Sequence, residues 1–103
     1  MTYEVFHGVQ HLDKIWTSST IAFDTETLQL QPEVGKLRLL QLGCGIAKTI
    51  VLIDLFNTTE DELERLDQFF ENGDRHWVAH NAVFDLGWLQ ECGFKPHGKA
   101  YCT

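Results

Sequence analysis

Basic residues are scarce in this sequence. Eight Lys and Arg stand against fifteen Asp and Glu, for a net charge of −7. That balance argues against a general nucleic-acid-coating surface, which needs cations to displace counterions along the phosphates. It leaves metal-dependent chemistry open, because a site for divalent ions concentrates carboxylates. Cysteine is also sparse. Cys44, Cys92 and Cys102 are odd in number and their spacing fits no zinc pattern, so three reduced thiols are expected. No apolar run reaches the ~18 residues of a membrane span, so no membrane partner is expected. The opening Met1-Thr2-Tyr3-Glu4 has no basic stretch followed by an apolar one, so a secretion signal is not expected either. The default is a soluble, cytoplasmic protein. Internal repeats, linkers and low-complexity segments are absent as well.

What is present favours a folded core. Hydrophobic residues make up 44% of the 103 residues, with three Trp and seven Phe. A chain of this length forms one domain at most, residues 1–103, and buries roughly 65% of its unfolded surface.

The pattern along the chain alternates between periods of two and 3.6. Tyr3 to Phe6 suits a short edge strand, and residues 9–16 place Leu12, Ile15 and Trp16 at helical spacing. Ile21-Ala22-Phe23 is an apolar run that leads into Asp24-Thr25-Glu26, as in a central strand. Pro32 and Gly35 mark a turn. A second strand over residues 37–44 and a third over 49–55 are close enough in sequence to pair antiparallel through Gly45-Ile46-Ala47-Lys48. Thr59 and Glu62 form a capping box for a helix whose apolar stripe is Leu63, Leu66, Phe69 and Phe70, ended by Asn72-Gly73. Residues 76–80 read as a fourth strand. A second helix over 82–92 follows, with Asn81 as N-cap and Gly93 as its stop. The tail from Lys95, with Pro96 and Gly98, leads toward a further strand. The order implies an α/β fold with a mixed sheet: strands 1–3 antiparallel, strand 4 parallel, and flanking helices.

Asp24 and Glu26 are two apart on a strand and therefore project from one face. Two carboxylates there are costly unless neutralised, and Mg²⁺ or Mn²⁺ suits oxygen ligands. A solvated strand end with two ordinary acids is the plain alternative. Asp85 lies about one turn into the second helix, amid Ala82, Val83, Phe84, Leu86 and Leu89. The plain alternative there is an acid stabilised by the helix N-terminus. Each segment alone favours the plain alternative.

Taken together, the segments resemble a known family. Asp24-Thr25-Glu26-Thr27 with Gly35-Lys36-Leu37-Arg38-Leu39-Leu40-Gln41-Leu42, then His80-Asn81-Ala82-Val83-Phe84-Asp85-Leu86, resembles the proofreading 3′→5′ exonuclease domain of family A DNA polymerases. That domain belongs to the DEDD exonuclease superfamily, named for four acidic residues, and the pattern also resembles RNase D. The resemblance implies a ribonuclease H-like fold and a two-metal mechanism with two Mg²⁺ or Mn²⁺ ions. It makes Asp24, Glu26 and Asp85 the catalytic and metal-holding residues. Asp24 would bridge both ions, Glu26 would hold the ion that positions the water, and Asp85 would act on the second largely through water. It also implies that Thr27 and Leu30 touch the terminal nucleotide and that Asn81 and Phe84 lie near the nucleic-acid strand's backbone and last sugar. Core packing is an equal alternative for Leu30 and Phe84.

The family pattern also has a fourth acid, four residues after a Tyr or His, which this sequence lacks. Cys102 stands where the family often has Asp. The resemblance therefore implies a partial domain, with the C-terminal strand and helix missing and doubtful activity for this chain alone. The implied partner is a single-stranded DNA 3′ end, with RNA open. A polymerase domain or a complementing chain is the implied protein partner. An interaction module that keeps the fold without catalysis is the reading from a different class.

Overall fold

The computed structural model describes residues 2–27, 37–71, 74–80 and 82–102; the side chains of residues 27, 37, 38 and 82–84 are outside that description. Six strands form one sheet: β1 (Glu4–His7), β2 (Thr20–Thr27), β3 (Leu37–Cys44), β4 (Thr49–Asp54), β5 (Arg75–Ala79) and β6 (Gly98–Cys102). Their order across the sheet is β1-β4-β3-β2-β5-β6. β3 pairs antiparallel with both β2 and β4, while β1 runs parallel to β4 and β5 parallel to β2. The mixed α/β sheet read from the sequence is therefore present.

Local chemistry explains each element. The β3–β4 hairpin turns at Lys48, whose φ is +51°, with its N–H donating to Gly45 O at 3.4 Å. Helix α1 (Glu60–Glu71) starts with a reciprocal capping box. Glu62 N donates to Thr59 Oγ1 at 3.2 Å, and Thr59 N donates to Glu62 Oε1 at 3.0 Å. Helix α2 (Ala82–Glu91) ends in a Schellman turn. Gly93 takes φ +86°, and Phe94 N donates to Leu89 O at 2.9 Å. The expected turn at 31–35, the Asn72-Gly73 stop and the Asn81 cap fall outside the described residues.

Two elements differ from the sequence expectation. Residues 9–16 do not form an α-helix; Val9–Lys14 is a 3₁₀ helix. Its buried residues Val9 and Leu12, followed by buried Ile15, recur every third position, which is the 3₁₀ period. The C-terminal edge differs in part, since the tail does form the further strand expected of it while the resemblance implied a missing C-terminal strand. β6 pairs parallel with β5, and Gly98 opens it at φ +123°, where a Cβ would collide with the Arg75 backbone.

All the helices pack on one face of the sheet. That face carries Ile21, Phe23, Leu40, Leu42, Val51, Ile53 and Trp77, packed against Leu12, Leu66, Phe69, Phe70, Trp88 and Leu89. Among the described residues, no helix is long and apolar enough to cross a membrane.

Among the described residues, one cation is buried within this core. Arg75 is 4% exposed. Its guanidinium donates to Phe69 O at 2.5 Å, to Ser18 O at 3.2 Å and to Trp16 O, and it lies 4.2 Å over the Phe69 ring. It thus ties β5 to the end of α1 and to the segment entering β2. Arg75→Met removes these donors and leaves carbonyls unsatisfied, which should cost about 3 kcal/mol in urea denaturation. Arg75→Lys should recover little of that loss, because an ammonium lacks the planar fork.

Candidate active site

β2 sits between β3 and β5, and its side chains alternate in burial. Ile21, Phe23 and Thr25 are buried on the helix-covered face, while Ala22, Asp24 and Glu26 are exposed on the opposite one. The two acids therefore do share a face. Asp24 lies opposite Gln41 and Glu26 opposite Leu39, and the pairing slips by one residue between Glu26 and Thr27. Such bulges bend a strand and re-aim its side chains. Asp24 Oδ1 accepts from Thr25 N at 3.0 Å. Among the described residues neither acid makes an ion pair.

Asp85 approaches the same strand from the covered side. It lies in the first turn of α2 and is only 3% exposed. Its Oδ1 accepts a 2.5 Å hydrogen bond from Thr25 Oγ1. Burial raises the Asp85 pKa above the ordinary carboxylate value, and the negative charge of Asp24 raises it further. Hydrogen bonds from Thr25 and the nearby His80 act in the opposite direction. Asp24 is thus close enough to Asp85 to act on it, yet the three acids flank β2 rather than sharing one face. Among the described residues no three Asp, Glu, His or Cys side chains group closely enough to hold a metal ion.

The donor chemistry fits a hard divalent cation in part. Two exposed carboxylates, with no described cation to neutralise them, suit Mg²⁺ or Mn²⁺. The third acid has already committed one oxygen to Thr25. Beside Asp24 the open face of the sheet carries a depression of about 540 Å³, lined in part by Ala22, Gln41, Gly43, Ile50 and Val78. A neighbouring one of about 370 Å³ brings His80 alongside Asp24.

The remaining residues read from the sequence are placed less fully. Thr27 ends β2 opposite Leu37, and Phe84 lies in α2, but both side chains are outside the described residues. Leu30 and Asn81 lie outside them entirely. Sequence reasoning passed over Thr25. The signal was available, because Thr25 is a polar residue at an inward position following Ile21 and Phe23.

The titration of Asp85 has a definite sign. An acid with a raised folded pKa contributes stability that is fully present below its unfolded pKa and lost as pH rises through the folded one. Asp85→Asn should therefore raise the thermal midpoint at pH 7, with a gain that shrinks toward acid pH. Carbon-detected NMR titration should show the Asp85 pKa falling in Asp24→Asn, which removes the neighbouring charge.

Residues 9–103 match a family model described as 3′-5′ exonuclease. DNA polymerase I of Chloroflexus aurantiacus is 31% identical over 101 residues, covering 89% of this chain but 10% of that protein. The fold resembles Brucella melitensis NrnC with bound Mg²⁺ (TM-score 0.73, 24% identity), covering 99% of this chain and 50% of that one. It also resembles Trypanosoma brucei RNase D in complex with RNA U12 (TM-score 0.73, 20% identity), covering 98% of this chain and 37% of that one. These two likenesses show the fold alone, whereas the sequence match extends over nearly all of the chain, and the chain belongs to the 3′-5′ exonuclease family.

Proposed function

We propose that this chain forms part of a metal-dependent nuclease that removes nucleotides from the 3′ end of single-stranded DNA. The observation that carries this reading is the exposed Asp24 and Glu26 pair on β2, with Asp85 buried just behind the strand. Two bound divalent cations would supply an activated water and charge stabilisation for the leaving 3′ oxygen.

The chain's own residues supply the rest. Asp24 and Glu26 offer oxygens at two-residue spacing from a central strand, which holds them more rigidly than a loop would. Asp85 adds negative charge from a buried position. The depressions beside Asp24 offer room for a terminal nucleotide; Thr27 and Leu30 are the residues assigned to touch it, and Asn81 and Phe84 those assigned to the strand's backbone and last sugar. The likeness to DNA polymerase I favours DNA, while the fold shared with RNase D makes RNA the alternative substrate. Because the chain spans a tenth of that polymerase, a polymerase domain or a complementing chain is the proposed protein partner.

One observation favours a second reading, an interaction module that keeps the fold without catalysis. It is the absence, among the described residues, of three grouped metal ligands.

Labelled single strands of DNA and RNA, incubated with Mn²⁺, separate the readings. Shortening from the 3′ end, lost in Asp24→Ala and in Asp85→Ala while circular dichroism is unchanged, is the expected result. Mn²⁺ should also raise the thermal midpoint of the native chain and leave Asp24→Ala unmoved. Strand binding without shortening, and without a Mn²⁺ shift, would establish the interaction module instead.

A further inference from the structure

Thr25 is the residue at which the acids of this site meet. Its N–H donates to Asp24 Oδ1 at 3.0 Å, and its hydroxyl donates to Asp85 Oδ1 at 2.5 Å. Thr25 is 8% exposed and Asp85 is 3% exposed, so water does not readily replace that second bond. The two partners are 60 residues apart in sequence, on β2 and α2. Few contacts link α2 to the strand that carries Asp24 and Glu26 so directly.

A buried carboxylate without a donor would turn toward solvent or toward whichever hydrogen bond it could find. With Thr25 holding Oδ1, rotation about the Asp85 side chain is restricted, and its charge stays behind the strand that carries Asp24 and Glu26. A β-branched residue also has few side-chain rotamers, so the Thr25 hydroxyl is itself fixed. We propose that Thr25 is a positioning residue, whose buried hydroxyl fixes Asp85 behind the strand so that its negative charge adds to that of Asp24 and Glu26 in holding a divalent cation. This inference rests on the metal-dependent nuclease reading above. Thr25 itself does not touch the cation; it acts through Asp85, as partners behind metal ligands do.

The test uses the full chain and Mn²⁺ alone, with free Mn²⁺ counted by electron paramagnetic resonance. Thr25→Val keeps the branched shape and removes the hydroxyl; Thr25→Ala is the second hydroxyl-free variant if the valine chain does not fold. Either should weaken Mn²⁺ retention about tenfold, and Thr25→Ser should stay within about twofold of the native chain. A residue that only supports packing would lower the thermal midpoint and leave Mn²⁺ retention unchanged. Folded Thr25→Val or Thr25→Ala that retains Mn²⁺ like the native chain overturns the proposal and leaves the nuclease reading standing. The same holds if Thr25→Ser is as weak as the valine variant. A native chain that retains no Mn²⁺ at all overturns the nuclease reading, and this proposal with it.

Discussion

The register of β2 is the constraint on which the rest of the molecule depends. This strand is paired on both sides, antiparallel to β3 and parallel to β5. Its side chains alternate strictly between a packed face and an open one. A slip of one residue would send Ile21 and Phe23 into water and turn Asp24 and Glu26 into the core. The cost of that inversion pins the strand. Because the strand is pinned, Thr25 must face inward between two outward acids, where it meets Asp85. Site geometry and core geometry are here two consequences of one pairing.

Much of this was legible in the sequence, for identifiable reasons. Strand β2 was readable because its apolar run ends in alternating polar residues. Helix α1 was readable because Thr59 and Glu62 declare its start and Leu66, Phe69 and Phe70 its buried side. The family resemblance followed from two short motifs and the distance between them. What was missed has physical causes too. The segment at Val9 supports either helix type when its apolar positions are few, and tertiary packing selected the tighter one. The bounds of β6 were not readable, because the strand is exposed along its whole length and carries no alternating pattern. The placement of Asp85 behind β2, rather than beside Asp24 and Glu26, depends on how α2 leans against the sheet. No local pattern encodes that angle.

The two faces of the sheet divide the labour. The helix-covered face holds nearly all the large buried side chains, including Trp77 and Trp88. The open face carries Asp24, Glu26 and the depressions beside them. On the proposed nuclease reading this division has a plain sense, since a nucleic-acid end needs an accessible surface with anchored carboxylates. The chain spans half or less of the solved proteins it resembles.

Arg75 has a consequence for how this small domain meets acid. Its described hydrogen-bond acceptors are main-chain oxygens of Trp16, Ser18 and Phe69, none of which takes up a proton in the range where carboxylates do. Burial lowers the guanidinium pKa, but arginine remains charged throughout that range. The three hydrogen bonds made this way do not loosen as acids neutralise. The bonds to positions 16 and 18 ask nothing of the side chains there, whereas Phe69 must also supply the ring beneath the guanidinium.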